Sequence, residues 1–193
     1  MNALKLIPTE NNVELAWPDN AEHISLASPA AMVFTDFKEH QPLTIDANTK
    51  ALDAVLFMKK AHVRLKLIVD AHNHFVGVVD LNDLSNEEMT KKVAQGFTRD
   101  ELTVADFMQH KHELQAMDYQ AVAQATIGDI VELLKNSGQQ HCLIIDHEIG
   151  QIRGLFSASD LARRLHLPIA IDQHSNFINV FKTSRRPVLS SVK

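Results

Sequence analysis

The chain has 193 residues, of which 45% are hydrophobic and 22% charged, and 24 acids against 19 bases give a net charge of −5. Those fractions are ordinary for a globular protein. They exclude the basic footprint of a nucleic-acid binder, and the lone cysteine, Cys142, excludes an internal disulfide. No apolar run reaches membrane-spanning length and residues 1–8 lack the apolar core of a signal peptide, so a soluble cytoplasmic protein with no membrane partner is expected.

Along residues 1–27, Val13, Leu15 and Trp17 alternate with polar residues in a strand-like pattern that stops at Pro18. Ser28-Pro29 opens a short turn leading to Val33-Phe34, and Leu43-Thr44-Ile45 reads as a short strand. Asn48 or Thr49 is placed to cap a helix running through Lys60, whose apolar face is Ala51, Ala54, Val55 and Met58. The strand from Arg64 to Asp70 is interrupted by Lys66, which predicts an edge or solvent position there. Ala71-His72-Asn73-His74 has turn chemistry and leads into a second apolar strand. Ser85-Asn86-Glu87-Glu88 is a capping-box pattern opening a polar linker helix that Gly96 closes, and residues 85–102 form the linker. Thr126 then starts a helix with apolar residues at Ile127, Ile130, Val131 and Leu134; Ser137-Gly138 ends it before the strand Gln140–Asp146. Pro168 marks the end of the patterned stretch that begins at Ser28. The tail 167–193 combines Ile169, Ile171, Phe177, Ile178, Val180 and Phe181, suited to packing on its own domain or a second subunit, with a last stretch expected to be mobile.

Two stretches share one plan. Gly77-Val78-Val79-Asp80-Leu81-Asn82-Asp83-Leu84 and Gly154-Leu155-Phe156-Ser157-Ala158-Ser159-Asp160-Leu161 each run glycine, two apolar residues, a polar oxygen, two residues, aspartate, leucine, at a constant offset of 77. The strands upstream (Arg64–Asp70 and Gln140–Asp146) and the two apolar helix faces match at an offset of 76. The lead-ins Ser28–Val33 and Thr103–Met108 match at 75. This is an internal duplication. In each copy the polar oxygen and the aspartate sit three apart at a predicted helix start. That spacing serves a helix cap worth about 1 kcal/mol, and equally a polar ligand held by free N–H groups and a fixed carboxylate.

The paired signature, with matching strands and helices, resembles the tandem cystathionine-β-synthase-type (CBS) domains of the Bateman module across roughly residues 28–166. The resemblance implies an α/β (α+β) fold of two β-α-β-β-α repeats, residues 28–84 and 103–166, packed about a pseudo-two-fold axis. It implies a stand-alone regulatory protein, commonly a homodimer, that binds an adenosyl ligand (AMP, ADP, ATP or S-adenosylmethionine) and modulates a partner protein, with no catalytic cofactor and no enzymatic activity. Each family cleft draws on both repeats. By that pattern one site would combine Asp160, Ser157 and Leu155 with Ser28, Val33, Val63 and Arg64, and the other Asp83, Asp80 and Val78 with Thr103, Met108, Gln139 and Gln140. A carboxylate suits a ribose diol, while a hydroxyl and nearby arginines (Arg64, Arg163 or Arg164) suit a phosphate. Asp80 departs from the family's serine or threonine and would repel phosphate, so the second cleft should prefer an uncharged or cationic adenosyl group, or be empty and structural. The alternative reading is an interaction module with degenerate clefts.

His72-x-His74 and His110-x-His112 have metal-like spacing, but no cysteine or carboxylate set completes either, so no metal site is expected. No serine elbow, P-loop or dinucleotide fingerprint is present. His141 and Cys142 are adjacent, so a strand would point them to opposite faces; Cys142 reads as a small buried hydrophobe.

Overall fold

The computed structural model describes residue 6, residues 13–16 and residues 23–166. Val13 and Leu15 are exposed and belong to no strand, while Trp17, Pro18, Pro168 and the tail lie outside the described residues.

The first copy runs β1 (Thr35–Asp36), β2 (Thr44–Asp46), α1 (Ala51–Lys60), β3 (Leu65–Val69), β4 (Phe75–Asp80) and α2 (Asn86–Ala94). The second runs β5 (Gln109–His110), β6 (Ala116–Asp118), α3 (Tyr119–Gln124), α4 (Ile127–Ser137), β7 (His141–Asp146), β8 (Gln151–Ser157) and α5 (Ala158–Leu165). Two four-stranded sheets result, ordered β2-β3-β4-β5 and β1-β8-β7-β6. In both, helical crossovers return the chain to a parallel pairing, β2 with β3 and β6 with β7.

Each sheet takes its fourth strand from the other repeat. β1 pairs antiparallel with β8, Thr35 opposite Leu155 and Asp36 opposite Gly154. β5 pairs antiparallel with β4, Gly77 opposite His110 and Val78 opposite Gln109. The signature glycines make room for these visitors. A Cβ on Gly77 would run into the carbonyl oxygen of Gln109, and one on Gly154 into that of Thr35. An ion pair fixes the β1 exchange further: Arg153 on β8 donates from Nε and Nη2 to the two carboxylate oxygens of Asp36, at 2.7 and 2.6 Å. Arg153 also stacks on Tyr119 and stands 3.5 Å from Asp146.

The core is layered. Ala51, Ala54 and Met58 of α1 pack with Met89 of α2 on the first sheet, and Ile127, Ile130, Val131 and Leu134 of α4 pack with Leu161 of α5 on the second. Leu65, Leu67 and Val78 meet Leu143 where the sheets face each other. Lys66 is half-buried on β3, an interior strand of its sheet rather than an edge.

The capping expectations divide. Thr126 and Asp129 form a reciprocal capping box on α4, which Gly138 ends at φ 66°, and Ser85 accepts from the Glu88 N–H at the start of α2. α1, by contrast, begins at Lys50 with no side-chain cap, so neither Asn48 nor Thr49 serves. The first signature is not followed directly by a helix either. Residues 81–84 form turns before α2, whereas α5 begins at once after Ser157.

Candidate functional site

A cleft of about 310 Å³ opens between the repeats. Its floor is Leu155 and Ser157 at the end of β8, and Ser159, Asp160 and Arg163 come from the first turns of α5. The opposite wall is His62, Val63 and Arg64, which turn α1 into β3. Thr35 and Phe37, at the exchanged strand, line it as well, with Gln41, Leu43 and His141.

Five of the seven residues considered for the first site therefore share one cleft: Asp160, Ser157, Leu155, Val63 and Arg64. Ser28 and Val33 do not line it. Val33 is buried in the helical core of the second half, and the Ser28 hydroxyl accepts from the Ser25 N–H while its carbonyl accepts from Ile127. The lead-in does reach the cleft, but through Thr35 and Phe37 a few residues on. The segment Phe34-Thr35-Asp36-Phe37 carries no alternation that would mark it as extended, since its two polar residues are adjacent.

The Ser157 oxygen accepts from the Asp160 N–H at a long 3.5 Å and lies 2.9 Å from the Ser159 hydroxyl. The Asp160 carboxylate does not reach back to the cap. It accepts from Arg163 Nη2 at 2.7 Å, with both side chains open to solvent. Arg164 points elsewhere, toward the Met32 carbonyl. The cleft thus presents a carboxylate, three hydroxyls (Thr35, Ser157 and Ser159) and two guanidinium groups beside the apolar Leu43, Val63 and Leu155. Burial drives the His141 imidazole down to about 4, with the Arg64 charge adding to the effect, so it is neutral at physiological pH.

The residues considered for the second site are distributed differently. Asp80 and Asp83 come together, the Asp80 N–H donating to Asp83 Oδ2 at 2.9 Å, and the Asp80 carboxylate accepts from the Asn82 N–H. Asp83 is only 8% exposed. Desolvation, reinforced by the neighbouring Asp80 and Glu88 charges, pushes its carboxyl up to about 7. Asp80 is also raised, chiefly by burial. Gln109 of β5 hydrogen-bonds Asp83, and its own Oε1 is buried without a partner among the described residues. Val78 is sealed between the sheets. Thr103 is closed in a capping box with Asp106, and Met108 packs on the core of the first half. Gln139 is buried and Gln140 half-buried just before β7, with the Gln140 carbonyl accepting from Ala158. Arg64 stands at the junction, its Nη2 donating to Asn82 Oδ1 at 3.4 Å.

His72 and His74 sit in the β3–β4 turn, where His74 pairs with Asp70; His110 and His112 stack on each other. Among the described residues no group of three His, Cys, Asp or Glu side chains is placed to hold a metal ion, and no helix is long and apolar enough to cross a membrane. Cys142 is buried, and desolvation raises its thiol to about 11.

The family model for the CBS domain matches residues 35–89. No curated protein sequence matches. Among solved structures, an uncharacterised conserved protein from Pyrococcus horikoshii superposes with a TM-score of 0.52 at 16% identity, covering 87% of this chain and 100% of that one. CBSX2 in complex with AMP superposes with a TM-score of 0.51 at 17% identity, covering 70% of this chain and 94% of that one; CBSX2 is a CBS-pair protein from Arabidopsis thaliana. At these identities the likeness is one of fold. Residues 35–89 match the CBS-domain family model, and with two interleaved sheets of the same plan the chain has the fold of a CBS-domain pair.

Proposed function

We propose that this chain is an adenosyl-ligand sensor, with residues 28–84 and 103–166 as its two repeats, and that the Ser157/Asp160 cleft is its principal binding site. The carrying observation is that one cleft collects Asp160, Ser157, Arg64 and Arg163 from both repeats beside the apolar Leu43, Val63 and Leu155. Asp160 is the acceptor for a ribose diol; Ser157 and the two arginines suit phosphate oxygens. The cleft's volume lies at the small end of ligand pockets, which run roughly 300–1,000 Å³, and a CBS pair of the same fold has been crystallised with AMP. Because the walls come from both repeats, a bound nucleotide would draw them together and shift an equilibrium between arrangements, which a partner protein reads. We read the working form as a cytoplasmic homodimer acting by binding rather than turnover.

The second cleft favours a different reading. Asp83 is buried, carries a carboxyl raised to about 7 and is tied to Asp80 and Gln109, which suits a structural element. If it takes a ligand, two carboxylates select an uncharged or cationic adenosyl group such as S-adenosylmethionine.

The test is a thermal-shift series with AMP, ADP, ATP and S-adenosylmethionine on the wild type and Asp160→Ala. A bound nucleotide raises the midpoint in a concentration-dependent way. Removing the charged acceptor should weaken binding by about 2 kcal/mol, roughly thirtyfold. If no adenosyl compound moves the wild type, the clefts are degenerate and the protein acts as an interaction module.

A further inference from the structure

The two facing sheets do not close along their whole length. They meet over Leu65, Leu67, Val78 and Leu143. Beyond that contact, toward the β3–β4 and β7–β8 turns, a cavity of about 810 Å³ lies between them. Its walls come from both repeats in equivalent pairs. Leu67 and Val69 answer Leu143 and Ile145 at an offset of 76, and Phe75 answers Ile152 at 77. The exposed turn residues Asn73 and Gly150, both at positive φ, stand at its mouth. The cavity therefore straddles the pseudo-two-fold axis between the repeats. The strands β2 and β6 bring only Thr44 and Ala116 to it, in register with Leu67 and Leu143. Facing sheets ordinarily interdigitate their inner side chains at crystal-like density. Small residues at both equivalent places keep this gap open.

One pair breaks the symmetry. Asp36 stands opposite Gly154, and His110 opposite Gly77. Those glycines are equivalent, so the next residues, Phe37 and Lys111, hold equivalent places on opposite sides of the axis. One side is aromatic and the other cationic. Lys111 is exposed and has no ion-pair partner among the described residues. His74 lines the cavity from the same sheet, with its imidazole on Asp70. No Asp or Glu lines the cavity, so the acceptor that suits a ribose diol in the Ser157/Asp160 cleft has no counterpart here. An apolar chamber with a free ammonium on one side matches a ligand with one anionic end and an apolar length.

We propose that this axial cavity binds a free medium-chain fatty acid, with its carboxylate on the Lys111 ammonium and its alkyl chain between the sheets toward Phe37. The carboxylate gains a charge-assisted hydrogen bond, and each methylene gains its transfer out of water. The volume lies within the range of pockets that enclose a small molecule, roughly 300–1,000 Å³. Only Phe37 and Leu67 are shared with the walls of the Ser157/Asp160 cleft, so fatty-acid binding is independent of the nucleotide reading.

Isothermal titration of the full chain with octanoate, decanoate and dodecanoate, each below its micelle concentration, tests this. One molecule per chain should bind, about fourfold tighter for each added methylene until the cavity is filled. Lys111→Met should weaken octanoate about tenfold and leave 1-octanol, its neutral counterpart, unchanged. Ala116→Trp fills the cavity from β6 and should abolish binding of all three acids. Thr44→Trp does the same from β2 if circular dichroism shows the first variant unfolded. The proposal is overturned by a wild type that takes up none of the acids, or by an affinity that does not rise with chain length. It is overturned equally if Lys111→Met keeps octanoate at full affinity or loses acid and alcohol alike, or if a folded cavity-filling variant still binds. No nucleotide enters these titrations, so their failure and a failure of the AMP reading are separate results.

Discussion

Asp83 and Asp160 occupy the same place in the duplicated signature, yet one is buried and the other half-open on an arginine. Their difference has a measurable consequence. Asp83, raised to about 7, is more protonated in the folded than in the unfolded chain between about pH 4 and pH 7. Stability from this group is therefore full below pH 4 and falls as pH rises to 7, by about 1.4 kcal/mol per pH unit. His141, depressed to about 4, acts in the opposite sense: the unfolded chain binds its proton first, so stability is lost as pH falls from about 6.5 to 4. In the wild type the two slopes oppose each other across that window. Asp83→Asn should show stability rising with pH from 4 to 6.5. His141→Leu, which installs the residue found at Leu65 in the first repeat, should show it falling from 4 to 7. Urea titrations at several pH values check both, and equal profiles for the three proteins would contradict the assignment. The paired aspartates were legible in the sequence; their unequal burial was not. Gln109, which covers Asp83, reaches it from the other repeat on a two-residue strand.

At the scale of elements, periodicity was informative where elements are long. The apolar faces of α1 and α4 and the strands β3, β4, β7 and β8 were visible as repeating patterns, because each spans enough residues to show one. β1 and β5 are two residues each and show no period at all. Their exchange was consequently hidden, and the lead-in was placed in the cleft through Ser28 and Val33 rather than Thr35 and Phe37. The glycines hold the missing information. Gly154→Ala should push β1 off its neighbour and cost about 1–3 kcal/mol, as overpacking does; the shift of the urea midpoint reads it. The ion pair predicts a loss of similar size. Arg153→Met leaves the half-buried Asp36 without its guanidinium, which now holds that carboxyl below its ordinary range, and should cost about 1–3 kcal/mol. Asp36→Asn in the same background should recover part of it, because the orphaned charge is gone.

For the whole molecule, interleaving makes the two repeats one cooperative unit. A fragment ending before Gln109 would have a first sheet without its fourth strand and an inter-sheet core without Leu143. Residues 28–102 alone should show no cooperative thermal transition, whereas residues 23–166 should melt in one step. The exchange is also lopsided in time. As the chain leaves the ribosome, the first sheet can close once Gln109 and His110 have emerged. Asp36 must wait for Arg153, 117 residues downstream. For most of synthesis β1 is a strand with nowhere to go, and the contact that joins the earliest-made strand to one of the last is the step that completes the fold.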